Sequence, residues 1–337
     1  MKFEKYNIVA NTRNQFENAS KVSSRPYNDH PSLESIKYLI AELSKSGFNA
    51  MHFGGVNELI NAYHQKMEFP KTLFLCLSDG LTQPSRKAQA SILLELIGAS
   101  YAGSDPLAHL MAGNKTYAKK IVKEKLCVPK SFLLFNQSNI SDIPQNIDFP
   151  VVIKPNREGS SIGITQQNIC TNIGELRQQL SLLLEQFDDI IVEEYISGYE
   201  ITCFIIGNRG NYYLTEPILC EYDGVRFFEN FVFGLEEKAS RVRKEYLAQS
   251  VLTLKTVDYI RRAAQVAFEL LNMRDFARVD FRLGKDGTLY FIEINSNPVI
   301  SETSELGVIC QAQNIPFGSL AGKIIHTAVE RLSVTHG

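Results

Sequence analysis

Phe276-Ala277-Arg278-Val279-Asp280-Phe281-Arg282-Leu283-Gly284-Lys285-Asp286-Gly287-Thr288-Leu289-Tyr290-Phe291-Ile292-Glu293-Ile294-Asn295 reads as two apolar-rich strands around the turn Gly284–Gly287, a strong hairpin signal. If the strands close symmetrically about Lys285 and Asp286, Arg278 faces Glu293 and Asp280 faces Phe291. Side chains alternate across a strand, so Arg278, Asp280, Glu293 and Asn295 share one face. Val279, Phe281, Ile292 and Ile294 then point the other way, into a core. Two carboxylates and a carboxamide on one face are hard oxygen donors of the kind that hold Mg²⁺, with phosphate oxygens and water completing the shell. The same pattern equally suits a solvent-exposed strand face carrying an Arg–Glu cross-strand pair. The hairpin residues alone leave both open.

Upstream, Val151-Val152-Ile153-Lys154-Pro155-Asn156-Arg157-Glu158-Gly159-Ser160-Ser161-Ile162-Gly163 is a buried-looking strand ending in Lys154, followed by a Gly/Ser loop. Glycines let backbone amides approach anionic oxygens, hydroxyls add donors, and a strand-end lysine supplies a point charge. No Gly-Lys-Ser/Thr opens a helix here, so this is not a Walker A loop. A flexible connector has the same composition. In Ile190-Ile191-Val192-Glu193-Glu194-Tyr195-Ile196-Ser197-Gly198-Tyr199-Glu200, Glu193 and Glu200 suit hydrogen bonds to an adenine amine and to ribose hydroxyls. They equally suit a strand leaving the core, and Lys115, at the head of an expected helix, taken alone reads as surface charge.

The rest of the chain supplies the frame. A strand at 6–10, a helix at 33–46 with Ile36, Leu39, Ile40 and Leu43 on one stripe, a strand at 72–77 and a helix at 87–97 alternate as in a parallel α/β sheet. The turn formers of Tyr101-Ala102-Gly103-Ser104-Asp105-Pro106 mark a first boundary. Helices at 115–126, 174–187, 257–271 and 319–332 and strands at 149–154, 190–196, 200–206, 276–283 and 288–295 follow. The expected units are 1–104, 105–189 and 190–337.

The 337 residues carry 35 Lys+Arg against 37 Asp+Glu, a formal charge of -2 that argues against binding nucleic acid through excess basic charge. Apolar runs such as Leu73–Leu77 are far too short to span a bilayer, and Met1–Arg13 lacks a signal-peptide core. The six scattered cysteines show no C-x-x-C spacing, so reduced thiols in a cytoplasmic protein are expected rather than disulfides or zinc.

Taken in order, five segments resemble the ATP-grasp carboxylate–amine ligases, and within them the D-alanine–D-alanine ligase family. They are Leu94–Ser104, the Asn114-Lys115 helix start, Lys154–Gly163, Ala277–Phe281 and Ile292-Glu293-Ile294-Asn295-Ser296-Asn297-Pro298. The resemblance implies an α/β protein (α+β in its C-terminal part) of three units: an N-terminal α/β domain, a central domain and a C-terminal domain, with ATP between the last two. It implies that Lys115 and Lys154 contact the phosphates, while Glu193, the backbone of Glu194, Tyr195 and Ile196, and Glu200 bind adenine and ribose. Asp280, Glu293 and Asn295 would hold two Mg²⁺, with Mn²⁺ able to substitute. Ser160 and Ser161 would lie in a closing loop over the γ-phosphate, Arg278 would stabilise the oxyanion, and Ser304 would lie near the second substrate's carboxylate. The implied reaction phosphorylates one amino acid's carboxylate and lets a second amino acid's amine displace phosphate, with small-molecule substrates, no membrane partner and a homodimeric enzyme.

Departures from the family concern the substrates. Val9-Ala10-Asn11-Thr12-Arg13-Asn14-Gln15-Phe16-Glu17 replaces a glycine-rich segment, and Glu17 is matched to its acid by position only. Val299 replaces a glycine after Pro298, Glu305 replaces an apolar residue, and 226–243 does not match the family's covering loop. Three other readings share the nucleotide site: a peptide ligase of specialised metabolism using other amino acids, an ATP-grasp kinase, and a non-catalytic nucleotide-binding module.

Overall fold

The computed structural model describes residues 2–17, 30–81, 85–135, 140, 143–144 and 146–335. Its first sheet is parallel, with β1 (Lys5–Val9), β2 (Ala50–Gly54), β3 (Thr72–Cys76) and β4 (Ser100–Ala102) in the order β2-β1-β3-β4. Every residue of β3 is buried, as befits a parallel strand covered on both faces. A short turn of helix, α1 (Asn14–Glu17), precedes α2 (Leu33–Lys45), α3 (Val56–His64) and α4 (Gln89–Leu96). Ser32 caps α2 by accepting a 3.0 Å bond from the Ser35 N–H, and Ile36, Leu39 and Leu43 form its buried stripe. Gly47, at φ +90°, turns the chain out of the helix.

Two short helices lead onward, α5 (Pro106–Ala112) and α6 (Lys115–Val122). Asp105 and Asn114 cap them by accepting from the N–H groups of Ala108 and Tyr117 at 2.8 and 3.0 Å. A second, antiparallel sheet orders β5 (Ser131–Leu134), β6 (Val151–Pro155), β7 (Ile169–Cys170) and β8 (Ile190–Glu194) as β5-β8-β6-β7. It is backed by α7 (Ile173–Leu184) through Leu176, Leu180 and Leu183. Residues 190–194 thus pair inside this middle sheet rather than opening the next one.

The third sheet is antiparallel and contains β9 (Gly198–Asn208), β10 (Asn211–Tyr222), β11 (Phe227–Phe228), β12 (Arg243–Leu247), β13 (Asp275–Leu283) and β14 (Leu289–Asn295). Its path is β12-β10-β9-β13-β14, with β11 added beside β9. The remaining helices are α8 (Leu235–Ala239), α9 (Leu254–Leu270), α10 (Glu305–Gln313) and α11 (Phe317–Thr335). The two central strands show what positions the site. Ile201, Cys203 and Ile205 of β9, with Ala277, Val279 and Phe281 of β13, pack against α9 and α6. The alternate residues Phe204, Ile206 and Phe276 join a second core that includes α2, α11 and the first sheet. Farther along that face, where α11 no longer covers it, Glu200, Thr202, Arg278 and Asp280 line a cavity instead.

The hairpin register corrects the symmetric expectation. Arg278 lies opposite Asn295 and Asp280 opposite Glu293, not Arg278 opposite Glu293 and Asp280 opposite Phe291. Gly284 N–H donates to the Thr288 carbonyl at 2.9 Å, so the loop takes in one residue more than the symmetric turn. The ladder then shifts between Asp280 and Phe281, leaving Ile292 as the extra residue of a bulge. A bulge reverses the phase of side chains beyond it. Phe291 therefore drops into the core beside Phe281, with ring centroids 6.2 Å apart, while Ile292, expected in the core, lines a cavity.

Candidate functional site

Two cavities, of about 460 and 90 Å³, meet between the three sheets and share Lys115, Glu158, Glu200, Lys238, Asp280 and Glu293. At their junction the hairpin sets the Asp280 carboxylate opposite that of Glu293. Like charges directly opposite destabilise a ladder, so this pair needs cations. Arg278 supplies one, donating from Nε and Nη2 to both Asp280 oxygens at 2.8 Å. Lys115 Nζ supplies another, 3.3 Å from Glu293 Oε2. Burial raises the Asp280 carboxyl above its usual range against the pull of Arg278, and the facing Glu293 adds to the rise. Burial opposes the Glu293 charge too, but Lys115, Lys238, Lys154 and Arg278 outweigh it and hold its pKa well down. Asn295 is on the same stretch, its Oδ1 accepting the Asn297 N–H at 3.0 Å. Asp280, Glu293 and Asn295 form an all-oxygen donor set of the hardness that suits Mg²⁺.

Beneath the smaller cavity, Glu193 is buried between two ammonium groups, Lys119 at 3.1 Å and Lys154 at 3.0 Å. Burial works against its charge, and the two lysines hold its pKa below the ordinary range regardless. Burial likewise lowers Lys119, partly offset by Glu193. Glu193 is therefore paired with both lysines and holds Lys154 at the cavity wall. The Glu194 side chain turns away to accept from the Lys130 N–H at 3.3 Å, whereas Tyr195 and Ile196 line the cavity. Glu200 pairs with Arg282 at 2.7 Å and reaches both cavities.

Residues 156–163 arch over the junction. Asn156, fully buried, anchors the arch by donating to Asp189 (2.8 Å) and accepting from the N–H and hydroxyl of Thr116 (3.0 and 2.9 Å). Lys115 Nζ donates to the Glu158 carbonyl. Ser160 and Ser161 both adopt left-handed φ, +51° and +59°, which presents the Ser160 region to the larger cavity. Ser161 Oγ instead donates to the Phe233 carbonyl at 2.5 Å, tying the arch to 226–243. That segment builds a lid of its own: Phe228 stacks on Phe231 at 5.1 Å, and Tyr195 Oη donates to the Phe231 carbonyl at 2.9 Å. It brings Lys238 and Arg243 to the larger cavity.

At the far wall, Arg278 Nη1 donates to Glu305 Oε1 at 2.9 Å. Burial opposes the Glu305 charge, yet Arg278, its own backbone N–H and Arg243 keep its pKa lowered. Arg243 pairs with Glu245 on β12. Ser304, the residue before α10, donates from Oγ to the Ser301 carbonyl at 2.7 Å. From the first sheet, Asp79 reaches the same cavity, 3.4 Å from Asn297 Nδ2 and 3.7 Å from Lys87 Nζ. Val299 lines the cavity as well, and the Glu17 side chain lies outside the described residues.

The structure thus gathers Lys115, Lys154, Ser160, Ser161, Glu193, Glu194, Tyr195, Ile196, Glu200, Arg278, Asp280, Glu293, Asn295 and Ser304 around the two cavities, with only Glu194 facing outward. Sequence reading missed Lys119, Asp79, Lys87, Lys238 and Arg243. Lys119 had a signal: it follows Lys115 by one helical turn, on the face carrying Ala118 and Val122. Asp79 had another, lying just past the carboxyl end of a parallel strand, where open α/β sheets bind ligands.

The family model for the "D-ala D-ala ligase C-terminus" matches residues 127–326. The D-alanine–D-alanine ligase of Fervidobacterium nodosum is 33% identical over 253 residues, 71% of this chain and 77% of that protein. That of Nitrosospira multiformis is 28% identical over 302 residues, 88% of this chain and 92% of the relative. Among solved structures, the D-alanine–D-alanine ligase from Bacillus anthracis complexed with ATP superimposes with a TM-score of 0.72 at 22% identity, over 99% of this chain and 100% of that one. The D-Ala:D-Ser ligase from Enterococcus faecalis gives 0.73 at 20% identity, over 97% and 100%. With its ATP-grasp architecture and this similarity, the chain belongs to the D-alanine–D-alanine ligase family and is an ATP-dependent carboxylate–amine ligase.

Proposed function

We propose that the enzyme activates D-alanine as an acyl phosphate and joins it to the amine of a second amino acid, releasing ADP and phosphate in the manner of cell-wall precursor synthesis. The observation that carries this is the facing Asp280–Glu293 pair, set beside the Arg278 fork and Lys115 where the two cavities meet. Adenine takes the smaller cavity, between Val152 and Ile292, reading the backbone at 194–196. The Ile196 N–H and C=O make no backbone hydrogen bond among the described residues, which leaves them for a base edge. Glu200 takes ribose, Lys115 and Lys154 take phosphates, and the arch at Ser160 closes over the γ-phosphate. Asp280, Glu293 and Asn295 would hold two Mg²⁺, or Mn²⁺ in its place, which would supply positive charge against the transferring phosphoryl group.

Asp79 receives the ammonium of the first amino acid, so its carboxylate is aimed at the γ-phosphate. Attack breaks the bond to ADP and gives the acyl phosphate, shielded from water by the arch and the aromatic lid. The second amine then attacks the carbonyl carbon, Arg278 stabilises the oxyanion, and phosphate leaves. The three units divide this labour, the middle one reaching to Glu194. A cytoplasmic homodimer, as the resemblance implies, has ATP at hand; no described helix is long and apolar enough to cross a membrane.

The test is D-alanine-dependent ADP formation with mass analysis of the product. An amide containing D-alanine supports the reading. A phosphorylated acceptor without an amide replaces it with a kinase.

A further inference from the structure

We infer that Lys87 is a further catalytic residue: its ammonium holds the carboxylate that is to be phosphorylated, while Asp79 beside it holds the same substrate's ammonium. This deepens the proposed ligase reaction and rests on it. Lys87 lies in a short 3-10 turn, Arg86–Ala88, between β3 and α4. With Asp79 it lines the larger cavity and not the smaller one. Its neighbour Arg86 is tied into the frame, donating to the Asp79 carbonyl at 3.1 Å and reaching Glu158 of the arch at 3.5 Å. Lys87 has no such tie. Its side chain is 15% exposed, yet among the described residues its only ion pair is with Asp79 Oδ1, at 3.7 Å, too long for a hydrogen bond. On the phosphate side, by contrast, Lys115 donates to the Glu158 carbonyl and Lys154 to Glu193 at 3.0 Å. A largely buried ammonium with its N–H donors unused is costly unless an anion meets it.

Asp79 and Lys87 present a negative and a positive group side by side, the complement of an α-amino acid zwitterion. Asp79 is steadied by Asn297 Nδ2 at 3.4 Å. An ammonium arriving at Asp79 is repelled by Lys87 unless its own carboxylate, one carbon away, settles on that lysine. The place of Lys87 also decides where that carboxylate goes. A Cβ on Gly159 would stand 3.5 Å from Lys87 Nζ, so the ammonium lies against the arch that closes over the γ-phosphate in the proposed reaction. The substrate carboxylate is thereby held under the arch, one oxygen on Lys87 and the other turned toward phosphorus. That second oxygen forms the new bond to the γ-phosphorus as the bond to the ADP oxygen breaks, and ADP departs with the electron pair. Lys87 keeps its proton throughout. It orients the nucleophile, and its charge offsets the repulsion between the two anions brought together.

The experiment measures hydroxamate formation from D-alanine, Mg·ATP and hydroxylamine, which traps the acyl phosphate before any second amino acid is needed. In Lys87→Met and Lys87→Gln, kcat/KM for D-alanine is expected to fall about a hundredfold or more, with the KM for ATP within about threefold of the natural chain's. The fall should recur when Lys87→Met is placed in an Asp79→Asn background, because the carboxylate is held independently of the ammonium. A fall that disappears in that background shows Lys87 acting only through Asp79 and overturns the inference. So does an unchanged kcat/KM, or a KM for ATP that rises in step and marks Lys87 as a nucleotide contact. Each of those results leaves the ligase reading standing, since the natural chain still makes hydroxamate. If D-alanine is inert and another amino acid yields hydroxamate, only the choice of D-alanine is overturned, and the same comparison on that acid decides Lys87. No hydroxamate from any amino acid overturns both.

Discussion

Asp280 and Glu293 face each other across the ladder although like charges there oppose folding. Such an arrangement carries a cost that a bound cation would offset. Asp280→Asn should therefore leave the melting temperature level or slightly raised, and Glu293→Gln should lower it because Lys115 loses its carboxylate partner, while in both ATP turnover falls about a hundredfold or more; calorimetry and ADP release check the two halves. Arg278→Lys should fail comparably, by about a hundredfold, since a point charge cannot replace a fork that spans Asp280 and Glu305 at once. These residues were legible from sequence because strand alternation and an ordered set of motifs converge on them. Lys238 and Arg243 were not, because 226–243 carries aromatic packing rather than a periodic pattern: Phe228, Phe231 and Phe233 fold on one another and deliver the cations as a by-product.

At the scale of elements, the hairpin shows where pattern reading stops. Phe291-Ile292 are consecutive apolar residues, so the alternation has two possible phases there, and only the bulge selects one. The helices were easier: 33–46 and 257–271 were placed within a few residues because caps at Ser32 and Thr253 agree with their apolar stripes. The strands β2, β10 and β12 and the helices α3, α5 and α10 were not placed, since their boundaries rest on tertiary pairing. The arch at 156–163 is tighter than its Gly/Ser composition suggests. Gly163 sits at φ +75°, and a Cβ there would come within 2.8 Å of Phe187 and Pro155. Gly163→Ala should cost about 1–3 kcal/mol and, by shifting the arch, raise the KM for ATP; thermal melts and steady-state kinetics read both.

The molecule as a whole is joined by buried charge as well as by apolar cores. Asp275, fully buried, accepts from Gly103 N–H at 2.9 Å, Asn208 at 3.1 Å and Arg331 at 2.7 and 3.0 Å. It ties the end of the first sheet, β9 and α11 to β13. Asp275→Ala strands the Arg331 guanidinium and should cost about 3–5 kcal/mol in urea unfolding. His109 on α5 bridges to the loop after β14 through Ser296 at 2.7 Å. Burial, helped by Lys87 and opposed by Asp105, lowers its pKa from 6.5 to about 4. The unfolded chain takes up this proton first, so the contribution is intact above about pH 6.5 and is lost as pH falls toward about 4, by about 3 kcal/mol in full. His109→Gln should flatten that part of the acid limb, as unfolding midpoints measured on either side of the window will show.

On the proposed reading, Asp280, Glu293, Arg278 and the lysines around them activate a carboxylate by phosphorylating it. The most direct measurement supplies D-alanine labelled with heavy oxygen in its carboxylate and follows the label during turnover with Mg·ATP and an amine acceptor. Transfer through an acyl phosphate carries one labelled oxygen into the released inorganic phosphate, and that is the predicted result. Phosphate released without label, while ATP is consumed at the same rate, would contradict the account.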